Sequence, residues 1–287
     1  MDVSVVGAGR VGTAVAVLLR RAGHRIAAVS GRADTRGRAA QHLPDVPFLE
    51  PPAAAAAGQI VLLGVSDDVI EPVVRNVADA GGFRPGQWVA HFSGASPLAV
   101  LDAAREAGAR RLSIHPLQTA PDVTAALTRI PGSTITVTAD DDEGFALGER
   151  LAEDLGGEPV RLADDDRALY HAAAVFASNY LVAVSSVAAA LFGAAGLPDP
   201  VRAMLPLQRG TLDNVERLGP AHALTGPAAR GDTGTIELNL KALREHAPDA
   251  IPTYVVMCRT ALDLAVRSGR LSEDRRDAVE EVLARWP

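Results

Sequence analysis

At 287 residues the chain is longer than one hydrophobic core usually supports, so a large domain with a smaller companion is expected. Its formal charge of -7 is scattered rather than blocked, which leaves no basic surface for nucleic acid, and a 48% hydrophobic content excludes disorder. The single cysteine, Cys258, excludes an internal disulfide and a thiolate metal site, and points to a reducing compartment such as the cytoplasm.

The chain opens on a β-rich run at 3–6 that leads directly into Gly7-Ala8-Gly9-Arg10-Val11-Gly12 and a helical stretch over 11–22, with no basic and apolar leader ahead of it. Further strands are expected at 25–29, 60–64, 88–91, 111–114, 133–138 and 158–162. Helical spacing falls between them, at 69–80 and 97–107, and Pro51-Pro52 opens a short alanine helix. Strands alternating with helices imply an α/β fold, a doubly wound and mostly parallel Rossmann sheet. Beyond about 163 the strand signals stop and long apolar helical runs begin. The expected organisation is therefore a dinucleotide-binding domain at 1–163 and a smaller all-α substrate and dimerisation domain at 164–287.

Strand, glycine bend and helix together give GxGxxG its meaning. Gly7 permits the tight turn, Gly9 lets backbone approach a diphosphate and Gly12 lets helix and strand pack closely. The amides of Ala8, Arg10 and Val11 then lie at the helix start, where an anion is favoured. After the second strand the chain reads Ser30-Gly31-Arg32 and lacks the acid that would accept both ribose hydroxyls of NAD. A hydroxyl, a glycine and a guanidinium suit the 2′-phosphate of NADP(H), with Arg32 gripping it and Ser30 donating to it; the other reading is a solvated turn. Gly64, Val65 and Ser66 follow a strand at the carboxyl edge and pass the nicotinamide ribose, although Ser66 and Asp68 also read as helix caps.

Ser113-Ile114-His115-Pro116-Leu117-Gln118-Thr119 places a histidine on stiff backbone at a strand end, so His115 is either the acid/base of a hydride transfer or a loop-pinning residue. Ser93 reads as a substrate contact or a turn residue, and Gln118 as a substrate contact. The stretch 168–198 contains no Asp, Glu, Lys or Arg and is long enough for a bilayer, yet its alanines and its polar His171, Ser178 and Asn179 point to a buried helix of a soluble protein. On that helix His171, Val175, Ser178 and Val182 share a stripe, so His171 and Asn179 cannot both grip one small group. Thr225 and Arg230, in Leu224-Thr225-Gly226-Pro227, offer either a carboxylate site or a helix start with an Arg230–Asp232 surface pair. The acidic runs 140–143 and 164–166 read as helix caps, and no metal is expected.

Together, 7–12, 113–119, the Leu169-Tyr170-His171-Ala172-Ala173-Ala174 run through Asn179-Tyr180, and 224–232 resemble the Rossmann-like oxidoreductases whose C-terminal half is domain of unknown function 2520. These are relatives of pyrroline-5-carboxylate reductase, ketopantoate reductase and prephenate dehydrogenase. The resemblance implies NADP(H), a 6-phosphogluconate dehydrogenase-like helical domain and a homodimer built through it. It also implies reduction of a small carbonyl or imine, such as the 2-oxo acid ketopantoate. Prephenate dehydrogenases carry a similar His-Pro turn that engages substrate, matched here by His115-Pro116. The helix steps at which ketopantoate reductases place a lysine and asparagines read His171, Val175 and Asn179, so a lysine acid is missing. That absence keeps open a sensor or scaffold that binds NADPH without chemistry.

Overall fold

The structure, a computed structural model, describes residues 1–286. It divides into two compact units, Met1–Asn179 and Tyr180–Pro287.

The first unit is built on one seven-stranded sheet. Its strands are β1 (Asp2–Val6), β2 (Arg25–Ser30), β3 (Ile60–Leu63), β4 (Trp88–His91), β5 (Arg110–Pro116), β6 (Thr134–Ala139) and β7 (Glu158–Arg161), in the spatial order β2-β1-β3-β4-β5-β6-β7. β1 to β5 are all parallel, β6 runs antiparallel to β5, and β7 is parallel to β6. The order 2-1-3-4-5 reverses direction between β1 and β3, and such a reversal opens a crevice at the carboxyl ends of the strands.

Near-continuous apolar runs build this sheet because both its faces are covered. Alternation along each strand feeds two cores. Val3, Val5, Ile60, Leu62, Leu112 and Ile114 pack with the helices Arg10–Arg21 and Asp142–Asp154. Val6, Val61, Leu63 and Val89 pack with Pro51–Ala57 and Ile70–Asp79 on the other face. The acids at 140–143 behave as expected of a helix start: Asp141 accepts from the Gly144 amide at 2.8 Å, while Arg110 and Arg111 of β5 pair with Asp141 and Asp140. The segment 97–107 is a 3-10 turn, Leu98–Leu101, followed by the short helix Asp102–Glu106. A helix at Ala33–His42 had no expectation; its sequence carries little apolar periodicity because it buries only Thr35 and Ala39.

The second unit is helical. Pro200–Ala223 bends at Gly219, whose φ of +73° is available to glycine, and Thr233–His246, Ile251–Arg267 and Glu273–Leu283 close a core around Ile236, Leu240, Val255, Leu262 and Val279.

Two expectations for the apolar stretch are corrected. It is two helices, Arg167–Ala177 and Asn179–Ala194, because Ser178 leaves helical geometry at φ -122°, ψ -66°; the stripe from His171 to Val182 is therefore interrupted. It is also not buried within the chain: Leu169, Phe176 and Val182 are 75%, 71% and 68% exposed. Among the described residues, 164–194 is the one stretch long and apolar enough to cross a membrane.

Candidate functional site

The glycine bend sits at the β1/β3 reversal. Gly7 has a φ of +99°, and the amides of Gly7 and Ala8 donate to the Ser30 carbonyl at 2.9 and 2.7 Å, which joins the bend to the end of β2. A Cβ on Gly12 would lie 2.4 Å from the Gly7 carbonyl oxygen, and one on Gly64 only 2.3 Å from the same atom. Gly7, Gly12 and Gly64 are thus pressed together with no room for a side chain, Val65 closing over Gly7. Gly9 stands at the N-cap of Arg10–Arg21 without a side-chain cap, so the first-turn amides near Arg10 and Val11 are left for an anion. A diphosphate fits such a cradle. Arg10 itself turns away, donating to the Pro121 carbonyl at 3.1 Å.

At the end of β2 the expectation divides. Ser30 is fully buried, so its side chain does not face a 2′-phosphate, and among the described residues its hydroxyl has no hydrogen-bond partner; its role in the structure is the carbonyl that holds the glycine bend. Gly31 packs against Thr35, whose hydroxyl donates to the Arg32 carbonyl. Arg32 has an 87% exposed side chain loosely paired with Asp34 at 3.3 Å, an arrangement that leaves its guanidinium available. Ser66 occupies the N-cap of the turn Asp67–Val69 but makes no capping hydrogen bond.

The second cluster assembles where β3, β4 and β5 end beside the helix Arg167–Ala177. The Ser93 hydroxyl donates to Asp67 at 2.6 Å and accepts from the amides of Ala95 and Ser96, so it builds the turn after β4. Arg167, 1% exposed, donates to the Ser96 carbonyl at 2.6 Å, to Thr138 Oγ1 at 2.9 Å and to the Ser93 carbonyl. It clamps the helix to this turn and to β6 without a carboxylate in direct contact. Burial lowers its pKa, and Asp164, Tyr170 and Asp67 act the other way.

His115, on β5, meets Tyr170: Nδ1 and the phenol oxygen lie 2.8 Å apart, the rings edge to face with centroids separated by 5.5 Å. A Cβ on Gly94 would lie 2.9 Å from Nε2 of His115 and 3.1 Å from Cδ2 of His171, so a glycine brings both imidazoles against the backbone. Burial, then the Arg167 and His171 charges, push the His115 pKa down to about 4, with Asp67 opposing. His91, fully buried, accepts from the Ser93 amide, and burial pushes its pKa to about 3.

The two clusters share a cleft of about 80 Å³ lined by Val11, Phe92, His115, Pro116, Gln118 and Thr119. His115, Ser93, His171 and Gln118 are therefore gathered in the first unit. Asn179 is exposed at the start of the next helix, and Thr225 and Arg230 belong to the second unit. There Gly226, rather than Thr225, is the cap of Pro227–Arg230, and Arg230 faces Asp232 at 3.8 Å, the surface pair of the blander reading. Sequence reasoning gave no role to Arg167 or Asp67. The available signal was an arginine opening an otherwise uncharged helix. Among the described residues no three His, Cys, Asp or Glu side chains group as a metal site.

Residues 1–116 match the Rossmann-like domain family and residues 133–261 the family described as Domain of unknown function (DUF2520). No curated protein matches the chain. Among solved structures it resembles a candidate NADP oxidoreductase from Bacteroides fragilis (TM-score 0.73, 24% identity, 91% of this chain and 98% of that one). A protein from Thermotoga maritima is similar at TM-score 0.72 and 22% identity, over 94% and 100% of the two chains. The reductive aminase from Aspergillus terreus, solved with NADPH and ethyl levulinate, is similar at TM-score 0.67 and 19% identity, over 98% of each chain.

Proposed function

We propose that this chain, a Rossmann-like domain followed by a DUF2520 domain, is an NADP(H)-dependent oxidoreductase acting on a small carbonyl or imine metabolite. The observation that carries the reading is the cleft in which Val11, at the helix start beside the glycine bend, and His115 face the same space. Its likeness in fold to an aminase described with NADPH supports the same reading.

Bound NADPH would supply the hydride. The free first-turn amides near Arg10 and Val11, presented by the bend of Gly7, Ala8, Gly9 and Gly12, hold the diphosphate, Arg32 pairs with the 2′-phosphate, and Gly64, Val65 and Ser66 flank the nicotinamide side of the cradle. His115 handles the proton, Ser93 through its turn and Gln118 through its amide orient the substrate, and His171 lines the same site. Positioning supplies much of the acceleration, with acid/base help adding roughly a hundredfold. A 2-oxo acid such as ketopantoate is the finer proposal, with Asn179 on the substrate side. We assign 1–163 to cofactor binding and 164–287 to substrate binding and homodimerisation, in a soluble cytoplasmic protein.

A second reading, a sensor that binds NADPH without chemistry, is favoured by one observation: the single lysine of the chain, Lys241, lies in the second unit, so the first unit offers no lysine acid. Titration of cofactor-stripped protein, followed by fluorescence, is expected to show NADPH binding at least tenfold tighter than NADH, with Arg32→Ala narrowing the gap. Absence of binding by either nucleotide overturns both readings. Turnover of a 2-oxo acid or imine that falls about a hundredfold in His115→Ala separates enzyme from sensor.

A further inference from the structure

We infer that Tyr170 is the proton reserve of the site: its phenol passes a proton to Nδ1 of His115 as the opposite ring nitrogen, Nε2, gives its own to the substrate. The inference rests on the oxidoreductase reading and adds the group through which His115 works.

The geometry is that of a two-ended relay. Tyr170 comes from the helix Arg167–Ala177 and His115 from β5, and they meet at 2.8 Å between phenol oxygen and Nδ1. The other end of the imidazole points to Gly94, where a Cβ would stand 2.9 Å from Nε2, so only a glycine leaves that nitrogen uncovered. His115 also lines the cleft shared with Val11 and Gln118, and with Nδ1 taken by Tyr170 the ring nitrogen left for a small molecule is Nε2.

Charge accounting makes a second group necessary. The titratable and charged groups around His115 are Arg167 and His171 from the helix, Asp67 from the turn after β3 and His91 from β4. Burial and the Arg167 guanidinium outweigh Asp67 and hold the imidazole pKa at about 4, so near neutral pH the ring carries one proton, not two. When the phenol donates to Nδ1, that proton sits on Nε2. Giving it up alone would leave an imidazolate, a poor product in a buried site. Concerted transfer avoids this. The hydride adds to the carbonyl carbon, the π pair moves to oxygen, oxygen takes the Nε2 proton, and Nδ1 takes the phenol proton. The ring ends neutral, with its proton on Nδ1, and the negative charge rests for the length of the step on the Tyr170 oxygen, where burial opposes the phenolate and the Thr136 hydroxyl and the Arg167 guanidinium only partly offset it. Water then restores the phenol proton.

Tyr170 acts through His115 and is a positioning residue. The test is imidazole 15N NMR of cofactor-free protein between pH 6 and 8, in wild type and Tyr170→Phe. The expected wild-type signal is a single neutral Nε2–H tautomer with Nδ1 hydrogen-bonded, and in Tyr170→Phe the Nδ1 resonance moves toward that of a free ring nitrogen. A wild-type Nδ1–H tautomer, or an imidazolium at pH 7, overturns the inference whether or not NADPH binds. With NADPH and the first 2-oxo acid or imine found to turn over, Tyr170→Phe is expected to lower kcat at least tenfold, with KM and NADPH affinity within twofold. The curved dependence of kcat on D2O fraction should become linear. Wild-type kcat in that variant, or unchanged curvature, overturns it as well. Loss of NADPH binding in wild type instead sinks the oxidoreductase reading and leaves the tautomer result standing.

Discussion

A guanidinium in the interior is normally matched by a carboxylate, yet Arg167 is satisfied by two carbonyls and a threonine hydroxyl, so its positive potential acts on neighbouring rings instead. His91 and His115 are the rings that feel it, and both are neutral in the folded protein. The folded pKa values, about 3 and about 4, lie below the 6.5 of an unfolded histidine. Below pH 6.5 the unfolded chain therefore takes up protons that the folded chain refuses, and stability falls on acidification toward pH 4, whereas above pH 6.5 these groups contribute no slope. Each histidine adds up to about 1.4 kcal/mol per pH unit in that window. Urea melts at pH 7, 6 and 5 are expected to show this loss, and His91→Asn, which keeps an acceptor for the Ser93 amide, should roughly halve the histidine contribution. An unchanged slope in the variant means that His91 is not held neutral.

Turns fix this site more than strands do. The glycine bend was legible in the sequence because its requirements are steric and local: a positive φ at Gly7, and no Cβ between Gly12, Gly64 and the Gly7 carbonyl. Strand positions were legible for a similar reason, since a sheet covered on both faces writes apolar runs into the chain. His115 stood out because a His-Pro step ends a strand. Tyr170 and Arg167 did not acquire roles from sequence, because their partners at 115, 93, 96 and 138 are distant along the chain and only the fold brings them together. Ser30 misled for the opposite reason: residue type suggested a phosphate contact, while the pleat turns its side chain inward. Gly94 is the sharpest test at this scale. Gly94→Ala would drive a methyl against both imidazoles, so turnover should fall more than tenfold while NADPH affinity, set at the β1 bend, stays within about twofold. Equal losses in kinetics and in nucleotide titration would mean that the two turns do not act independently.

At the scale of the molecule the unusual feature is apolar surface. Within the second unit Val182, on Asn179–Ala194, and Val201, Leu207 and Leu212, on Pro200–Ala223, are all between 51% and 68% exposed. Exposed apolar side chains gathered on neighbouring helices mark association surfaces or membranes. Polar groups within 164–194, with His171 facing Gly94 and Ser185 bonded to Gln208, argue against a bilayer, where such groups are disfavoured. Self-association through these helices is therefore the proposal, and a symmetric dimer would present the same patch from both copies. Sedimentation of the wild-type chain at micromolar concentration is expected to give a dimer. The double variant Val182→Asp, Leu207→Asp places two charges where no partner for them exists and should shift the equilibrium to monomer by at least a hundredfold in Kd, consistent with the several kcal/mol that an unpaired buried charge costs. Recovery of wild type only in detergent-solubilised membranes would point to the bilayer instead, and a wild-type monomer in plain buffer would leave the exposed face without the partner assigned to it.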